Sequence, residues 1–258
     1  MSYIDLPGVH LWYIDSGGSS VPVIFMHAAS GTCESWEPQL PAFTAAGYRC
    51  ISYDRRGWGR SRPDPTGEQP GYVSDDLHRL ADHLGLDRFH IAATAAGGIG
   101  ALDYALVHPE RVRSLVVADS IGGVQDPEYL EVQRRLRPPE IQALPWELRE
   151  LSAGYRGTNP EGTQRWIAIE RGSRLEGAQG PAQQPRNPMT LARLETLRVP
   201  TLVLVGEADL VSPPALMRML AAHIPDCQFA TVSEAGHAAH WEQPEIWNHL
   251  VLEFIVQH

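Results

Sequence analysis

The chain has 258 residues, of which 43% are hydrophobic and 20% charged, as expected for one soluble globular domain. Its net charge of -10 and the lack of a Lys/Arg cluster argue against a nucleic-acid partner. Three cysteines show no metal or disulfide spacing, and no apolar run is long enough to span a membrane, so we expect no metal, cofactor or membrane contact. The first residues lack a signal-peptide pattern, which favours a cytoplasmic location.

Short apolar segments alternate with longer helical patterns along most of the chain. This alternation indicates βαβ units, with a mostly parallel central sheet and helices on both of its faces. The pattern predicts strands at 10–15, 21–27, 48–53, 89–93, 112–118, 201–206 and 227–232. Helices are predicted at 36–46, 73–84, 98–108, 214–224 and 244–256. Most of the strands are continuous runs of Val, Ile and Leu, as expected of strands covered on both faces.

The region 122–188 interrupts this alternation. It contains many of the prolines and two helical fragments, at 129–137 and 145–155, but no strand pattern. Residues 177–188 form a turn-rich, linker-like segment. We therefore predict a core domain made of 1–121 and 189–258, with 122–188 as a small helical cap over the carboxyl edge of the sheet, where loops carry sites in open α/β folds.

Five short motifs lie where predicted strands end. Small residues follow the strand at 89–93 and read Ala93-Thr94-Ala95-Ala96-Gly97, just before a helix. Earlier strands run into His27-Ala28-Ala29-Ser30-Gly31 and into the turn Asp54-Arg55-Arg56-Gly57-Trp58-Gly59-Arg60-Ser61. Later strands run into Gly206-Glu207-Ala208-Asp209 and Glu234-Ala235-Gly236-His237.

Taken in chain order, the motifs resemble those of the α/β-hydrolase superfamily, and the resemblance covers the whole chain except 122–188. Members carry a Gly-x-Ser-x-Gly turn between a strand and a helix, followed in the sequence by an acid and a histidine. The resemblance implies the α/β-hydrolase fold, with His237 as general base and Asp209 as its acid partner. It also implies Asp119, after the strand at 112–118, as the alternative acid. The oxyanion donors would be the backbone N–H groups of Ala29 and Ala96.

The serine of the family's turn is absent, because its position is occupied by Ala95. Without a hydroxyl the chain cannot form an acyl-enzyme, although the base, the acid and the donor loop remain. Either the chain is a Ser-to-Ala variant of a serine hydrolase, or it is a natural ligand-binding pseudoenzyme or receptor. Since the other parts of the site are intact, we favour the inactivated variant.

The substrate is less well defined by the sequence. Candidate pocket residues are Ser30, Trp36, Tyr129, Trp146 and Trp166, and together they favour an apolar, possibly aromatic and uncharged ester or lactone. For each aromatic residue the alternative is packing between cap and core. A second possibility is carbon–carbon bond hydrolysis of ring-cleavage products, because the run from Gly236 to Glu242 resembles that of such enzymes. The oligomeric state stays open.

Overall fold

The computed structural model describes residues 1–64, 71–174 and 183–258. Within these ranges one sheet contains nine strands: β1 (Ser2–Leu6), β2 (Val9–Asp15), β3 (Pro22–Met26), β4 (Arg49–Tyr53), β5 (Arg62–Pro63), β6 (Phe89–Thr94), β7 (Val112–Ala118), β8 (Thr201–Gly206) and β9 (Cys227–Val232). The strand order is β1-β2-β4-β3-β6-β7-β8-β9, and β5 pairs with β2. Pairing is parallel from β4 across to β9, while β2 is antiparallel to its neighbours β1, β4 and β5.

The helices of the described residues are α1 (Gln39–Ala45), α2 (Val73–His83), α3 (Ala96–Val107), α4 (Pro127–Leu136), α5 (Pro139–Gln142), α6 (Trp146–Glu150), α7 (Ala153–Thr158), α8 (Pro160–Ser173), α9 (Leu191–Leu194), α10 (Pro214–Ala221), α11 (Ala239–Glu242) and α12 (Pro244–Ile255). Short 3-10 helices lie at Cys33–Trp36 and Pro109–Arg111. No described helix is long and apolar enough to cross a membrane.

The sheet separates two hydrophobic clusters because successive side chains of a strand point to opposite faces. In β3, Ile24 and Met26 belong to the cluster that includes α2, α3 and α10. Val23 and Phe25 belong to the other cluster, with α1 and α12. The fold is therefore the predicted α/β-hydrolase fold, with helices on both faces of a mostly parallel sheet.

All seven predicted strands are present, and no strand end differs from its prediction by more than one residue. The sequence analysis missed β1 and β5, at one edge of the sheet. In β1 only Ile4 and Leu6 are buried, and the strand turns into β2 at Gly8, whose φ is 74°. Two inward-facing residues make too short an alternation to predict a strand.

The helix predicted at 36–46 begins only at Gln39. Trp36 instead ends a 3-10 helix that starts at Cys33, and Pro38 stands between the two elements. Proline has no N–H to donate and is tolerated only at the start of a helix. The helix predicted at 98–108 begins two residues earlier, at Ala96.

The described part of 122–188 contains five helices, α4 to α8, and they differ from the expected ones. The fragment at 145–155 is divided into α6 and α7, because the Ser152 hydroxyl accepts the N–H of Tyr155 and starts a new helix. The 14-residue α8 was missed, although Asn159 followed by Pro160 is a recognisable helix start. The part of the linker-like segment at 177–182 lies outside the described residues, and 183–188 forms neither helix nor strand.

Candidate active site

Ala95 occupies a strained turn between β6 and α3. Its φ of 50° and ψ of -117° are unusual for a residue with a side chain. The Ala95 N–H donates to the Ala118 carbonyl at 3.0 Å, and the Ser120 hydroxyl donates to the Ala95 carbonyl at 2.6 Å. A side chain at Gly97 would overlap the Met26 carbonyl, so small residues here let α3 begin directly against the sheet. The turn is held by the neighbouring strands.

His237 and Asp209 form a buried hydrogen-bonded pair. Asp209 Oδ2 lies 2.8 Å from His237 Nδ1, and the two residues are only 3% and 4% exposed. Asp209 Oδ1 accepts the N–H groups of Val211 and Ser212 at 2.7 and 2.8 Å, which fixes the carboxylate. A carboxylate at Nδ1 keeps the proton on that nitrogen and leaves Nε2 for other chemistry.

Asp119, the alternative acid, has a different set of partners. It follows β7 with a φ of 50°, and its Oδ1 accepts the N–H of Gly206 at 2.9 Å. Its Oδ2 has no hydrogen-bond partner. Burial, and then the charge of Asp209, raise the pKa of Asp119 well above its usual range. Of the two carboxylates considered from the sequence, Asp209 is the one that hydrogen-bonds to His237.

The environment of His237 favours its protonated form. Burial alone would lower the pKa of this imidazole, but the charge and hydrogen bond of Asp209 raise it. Further carboxyl groups at Glu150 and Asp119 act in the same direction, and the pKa of His237 is about 9. At neutral pH this histidine therefore carries a proton on both nitrogens.

The loop after β3 is held by His27. Its Nδ1 donates to the Ala28 carbonyl at 2.6 Å, and its Nε2 accepts the N–H of Arg55 at 2.9 Å. Burial, followed by the charge of Arg55, lowers the pKa of His27 well below its ordinary value, in agreement with this neutral form. The Trp58 indole donates to the Ala29 carbonyl at 2.7 Å. These contacts fix the backbone around Ala29.

A cavity of about 270 Å³ lies over this turn and joins the sequence-predicted residues Ala29, Ala95, Ala96, Trp146 and His237. Its other lining residues are Ala28, Ile99, Ile121, Arg137, Gln142, Arg149, Glu150, Val211 and Ser212. A small adjoining space of about 10 Å³ is lined by Ser30, Trp166, His240 and His237, among others. Helices α5 and α6 thus share a cavity with the carboxyl end of β6.

Trp36 and Tyr129 are not in the pocket, contrary to the expectation from the sequence. Trp36 is fully buried between Phe25 and Trp247, in the cluster under α1 and α12. Tyr129 is buried in the opposite cluster, and its hydroxyl donates to the Ile121 carbonyl at 3.1 Å. Both are core residues. The sequence does not distinguish them from pocket residues, because aromatic rings are also the largest side chains available to fill the core.

Glu150, at the end of α6, was missed by the sequence analysis. It is 3% exposed, and its Oε2 accepts the hydroxyl of Ser30 at 2.5 Å. Burial raises the pKa of this carboxyl. The Glu150 backbone carbonyl also accepts the N–H of Ala238, beside His237, at 3.2 Å. No sequence signal separates Glu150 from the exposed acids of neighbouring helices.

Glu242 links the loop that carries His237, between β9 and α11, to the helical segment that contains α6 and α7. Its Oε1 accepts the N–H of Gly236 at 3.0 Å, and both of its carboxylate oxygens lie 3.1 Å from the N–H of Ser152. Trp166 and Trp241 pack together in a third cluster that spans the same junction. Among the described residues, no group of three or more His, Cys, Asp or Glu side chains could hold a metal ion.

Similarity to known proteins extends over almost the whole chain. Residues 23–249 match the Alpha/beta hydrolase family. The chain is 31% identical to a putative carbamate hydrolase, RutD, of Azorhizobium caulinodans, over 94% of each chain. It is 28% identical to a 2-hydroxy-6-oxononadienedioate/2-hydroxy-6-oxononatrienedioate hydrolase of Paraburkholderia phymatum, over 95% of this chain and 90% of the relative.

Among solved structures, the malate-bound thermophilic esterase of Thermogutta terrifontis is similar, with a TM-score of 0.81 and 26% identity. The match covers 100% of this chain and 99% of the esterase. Sequence, fold and the order of the site residues point to the same group of enzymes. The chain therefore belongs to the alpha/beta hydrolase family.

Proposed function

We propose that this site is built to hydrolyse a carboxylic ester or lactone of a small molecule by a Ser-His-Asp mechanism, with residue 95 at the nucleophile position. The observation that carries the proposal is the backbone of Ala95. A residue with a side chain in such a conformation costs about 1–3 kcal/mol, and such strain concentrates at active sites. Ala95 bears this strain while lining the same cavity as His237.

The other roles follow from the contacts. Asp209 holds Nδ1 of His237, so that Nε2 is the nitrogen that would take a proton from a hydroxyl at position 95. The backbone N–H groups of Ala29 and Ala96 would stabilise the oxyanion, and both residues line the cavity. The pKa of about 9 means that the imidazole must first lose a proton to act as a base.

With alanine at position 95 there is no hydroxyl to attack a carbonyl, so the chain binds its substrate without forming an acyl-enzyme. We propose that it is an inactivated form of a serine hydrolase, because the strained turn, base, acid and braced loop are all retained. The alternative is a natural binding protein or pseudoenzyme on the same fold. The codon in the gene decides between them: serine supports the first, alanine the second.

The segment 122–188 acts as a cap in this proposal. Trp146 lines the cavity over Ala95, and Trp166 lines the adjoining space beside His237. A cap here would exclude water and strengthen the electrostatics of the site. Apolar lining residues such as Ile99, Ile121 and Val211 suit a largely apolar substrate. The cytoplasmic location and the absence of nucleic-acid or membrane partners stay predictions.

A second candidate is hydrolysis of a carbon–carbon bond. The relative from Paraburkholderia phymatum is named for this type of dienedioate substrate. The run from Gly236 to Glu242 also resembles such enzymes, and it lies directly at the site. The variant Ala95→Ser separates the two candidates when it is assayed in turn with an aryl ester and with a ring-cleavage dienoate. Cleavage of the dienoate is followed by the fall in its absorbance.

The decisive test is Ala95→Ser. The added hydroxyl should produce hydrolysis of phenyl acetate and labelling by a fluorophosphonate probe, while the parent chain gives neither, because the covalent step needs this oxygen. In the protease subtilisin, removal of the triad serine lowered turnover by about 10⁶-fold, so the rate of hydrolysis should increase by several orders of magnitude in Ala95→Ser. Ala95→Ser combined with His237→Gln is the matched control and should be inert. A well-folded serine variant that reacts with neither reagent would overturn the proposal.

A further inference from the structure

Three of the residues that line the cavity carry a buried side-chain N–H group without an acceptor. They are Arg137 Nε at the end of α4, Gln142 Nε2 at the end of α5 and Arg149 Nε in α6. A buried donor without a partner is costly, and most such groups in folded proteins are paired. Because all three belong to residues that line one cavity, we take a ligand bound there as the missing acceptor.

The three donors are held in a fixed relation to one another. Gln142 lies between the arginines: its Oε1 accepts Nη2 of Arg137 at 3.3 Å, and its backbone carbonyl accepts Nη1 of Arg149 at 3.0 Å. Because Oε1 accepts this hydrogen bond, the amide nitrogen is the part of the Gln142 side chain without a partner. The Arg149 guanidinium also lies 3.9 Å from the centre of the Trp146 ring, a cation–π contact that restricts its position.

Two carboxylates act on these arginines without a short ion pair: Asp209 acts on Arg137, and Glu150 acts on Arg149. Arg137 has no ion pair among the described residues, and the carboxylate nearest to Arg149 is Glu150, whose Oε1 lies 4.0 Å from Nη2. On the same stretch of chain, Arg134 pairs with Glu131 at 2.8 Å and is 72% exposed. The lining of the cavity thus contains two arginines and one carboxylate, Glu150, in a chain whose net charge is -10.

We propose that Arg137, Gln142 and Arg149 form a carboxylate subsite, and that the substrate is an ester or lactone bearing a second, free carboxylate. The ester or lactone part of this inference rests on the proposed function, whereas the carboxylate subsite does not. A carboxylate offers two oxygens with about four acceptor positions, and it suits the fork of an arginine. The uncharged substrate expected from the sequence would leave all three donors unpaired.

The test measures binding by calorimetry in the chain as it exists, where Ala95 prevents turnover. Phenyl hydrogen succinate and its methyl ester differ only in the free carboxylate. The acid should bind about 10- to 100-fold more tightly, as expected for hydrogen bonds to a charged group. In Arg137→Gln/Arg149→Gln this preference should disappear, so that the acid and the methyl ester bind with equal affinity, and an unchanged far-UV circular dichroism spectrum shows that the variant is folded. Arg134→Gln is the matched control and should behave as the parent chain.

Equal affinity for the two compounds, or a preference that survives in the double variant, would overturn the subsite. The outcome is independent of the hydrolase proposal. If Ala95→Ser hydrolyses phenyl acetate but no preference for the acid is found, the subsite fails and the hydrolase stands. If the preference is found and Ala95→Ser stays inert, the subsite stands and the hydrolase fails.

Discussion

Replacing Asp209 by asparagine tests the electrostatic arrangement around His237 directly. In the parent chain Asp209 lies 2.8 Å from Nδ1, and both side chains are buried. Asparagine keeps the shape and can still accept the N–H groups of Val211 and Ser212 through its oxygen. Its amide nitrogen would then face Nδ1, and the negative charge would be gone. The substitution removes the largest favourable influence on the imidazolium.

The size of the effect follows from the opposing influences. Burial is the strongest influence on His237 and lowers its pKa, whereas Asp209 supplies most of what raises it to about 9. Without that carboxylate, burial should bring the pKa of His237 to its ordinary value of 6.5 or below. A fall of about 2.5 pH units corresponds to about 3.4 kcal/mol between the two protonation states.

The assay is an NMR titration of the histidine ring nitrogens from pH 5 to 10, with the His237 signal identified by its loss in His237→Gln. Glu150→Gln provides the comparison, because Glu150 influences His237 only through its charge and should lower the pKa less. A pKa of His237 that stays above 8 in Asp209→Asn would refute the reasoning, since burial and the remaining carboxyls would then account for the shift.

Two further predictions concern stability. Ala95→Gly should raise the free energy of unfolding, measured by urea titration, by up to about 2 kcal/mol. The reason is that relief of about 1–3 kcal/mol of backbone strain exceeds the entropy cost of glycine. Unchanged or lower stability of this variant would contradict the presence of strain at Ala95. Stability should also fall as the pH rises from 6.5 to 9. The raised pKa of His237 gives stabilisation that is complete below pH 6.5 and is lost as the pH rises through 9. Urea midpoints that rise steadily from pH 6 to 9 would contradict this assignment.

The sequence predicts those parts of the site that belong to short motifs beside the strands. Ala95, Asp209 and His237 each stand within a few residues of a strand end, and parallel strands bring their carboxyl ends to one edge of the sheet. A short motif beside a strand is therefore enough to place each of them at that edge. The alternation of apolar and helical segments likewise predicts the sheet and its covering helices.

The rest of the site depends on contacts that are distant in the chain. Glu150 meets Ser30 across 120 residues, and nothing around it distinguishes a buried acid from a solvated one. The run Arg134-Arg135-Leu136-Arg137 reads as an exposed helix face. Arg134 fits that interpretation, but Arg137 falls where α4 ends and lines the cavity instead. Short polar helices carry too little periodicity to show which side chains turn inward.

The hydrogen bonds of Glu242 make the helical segment and the histidine loop a single mechanical unit. One carboxylate holds the backbone at both Gly236 and Ser152, and the Glu150 carbonyl adds a bond to Ala238. Lifting α6 and α7 away from the sheet would break these bonds and release the loop that positions His237. The position of the loop that carries His237 and the position of this helical segment are therefore linked, so that a displacement of one would displace the other.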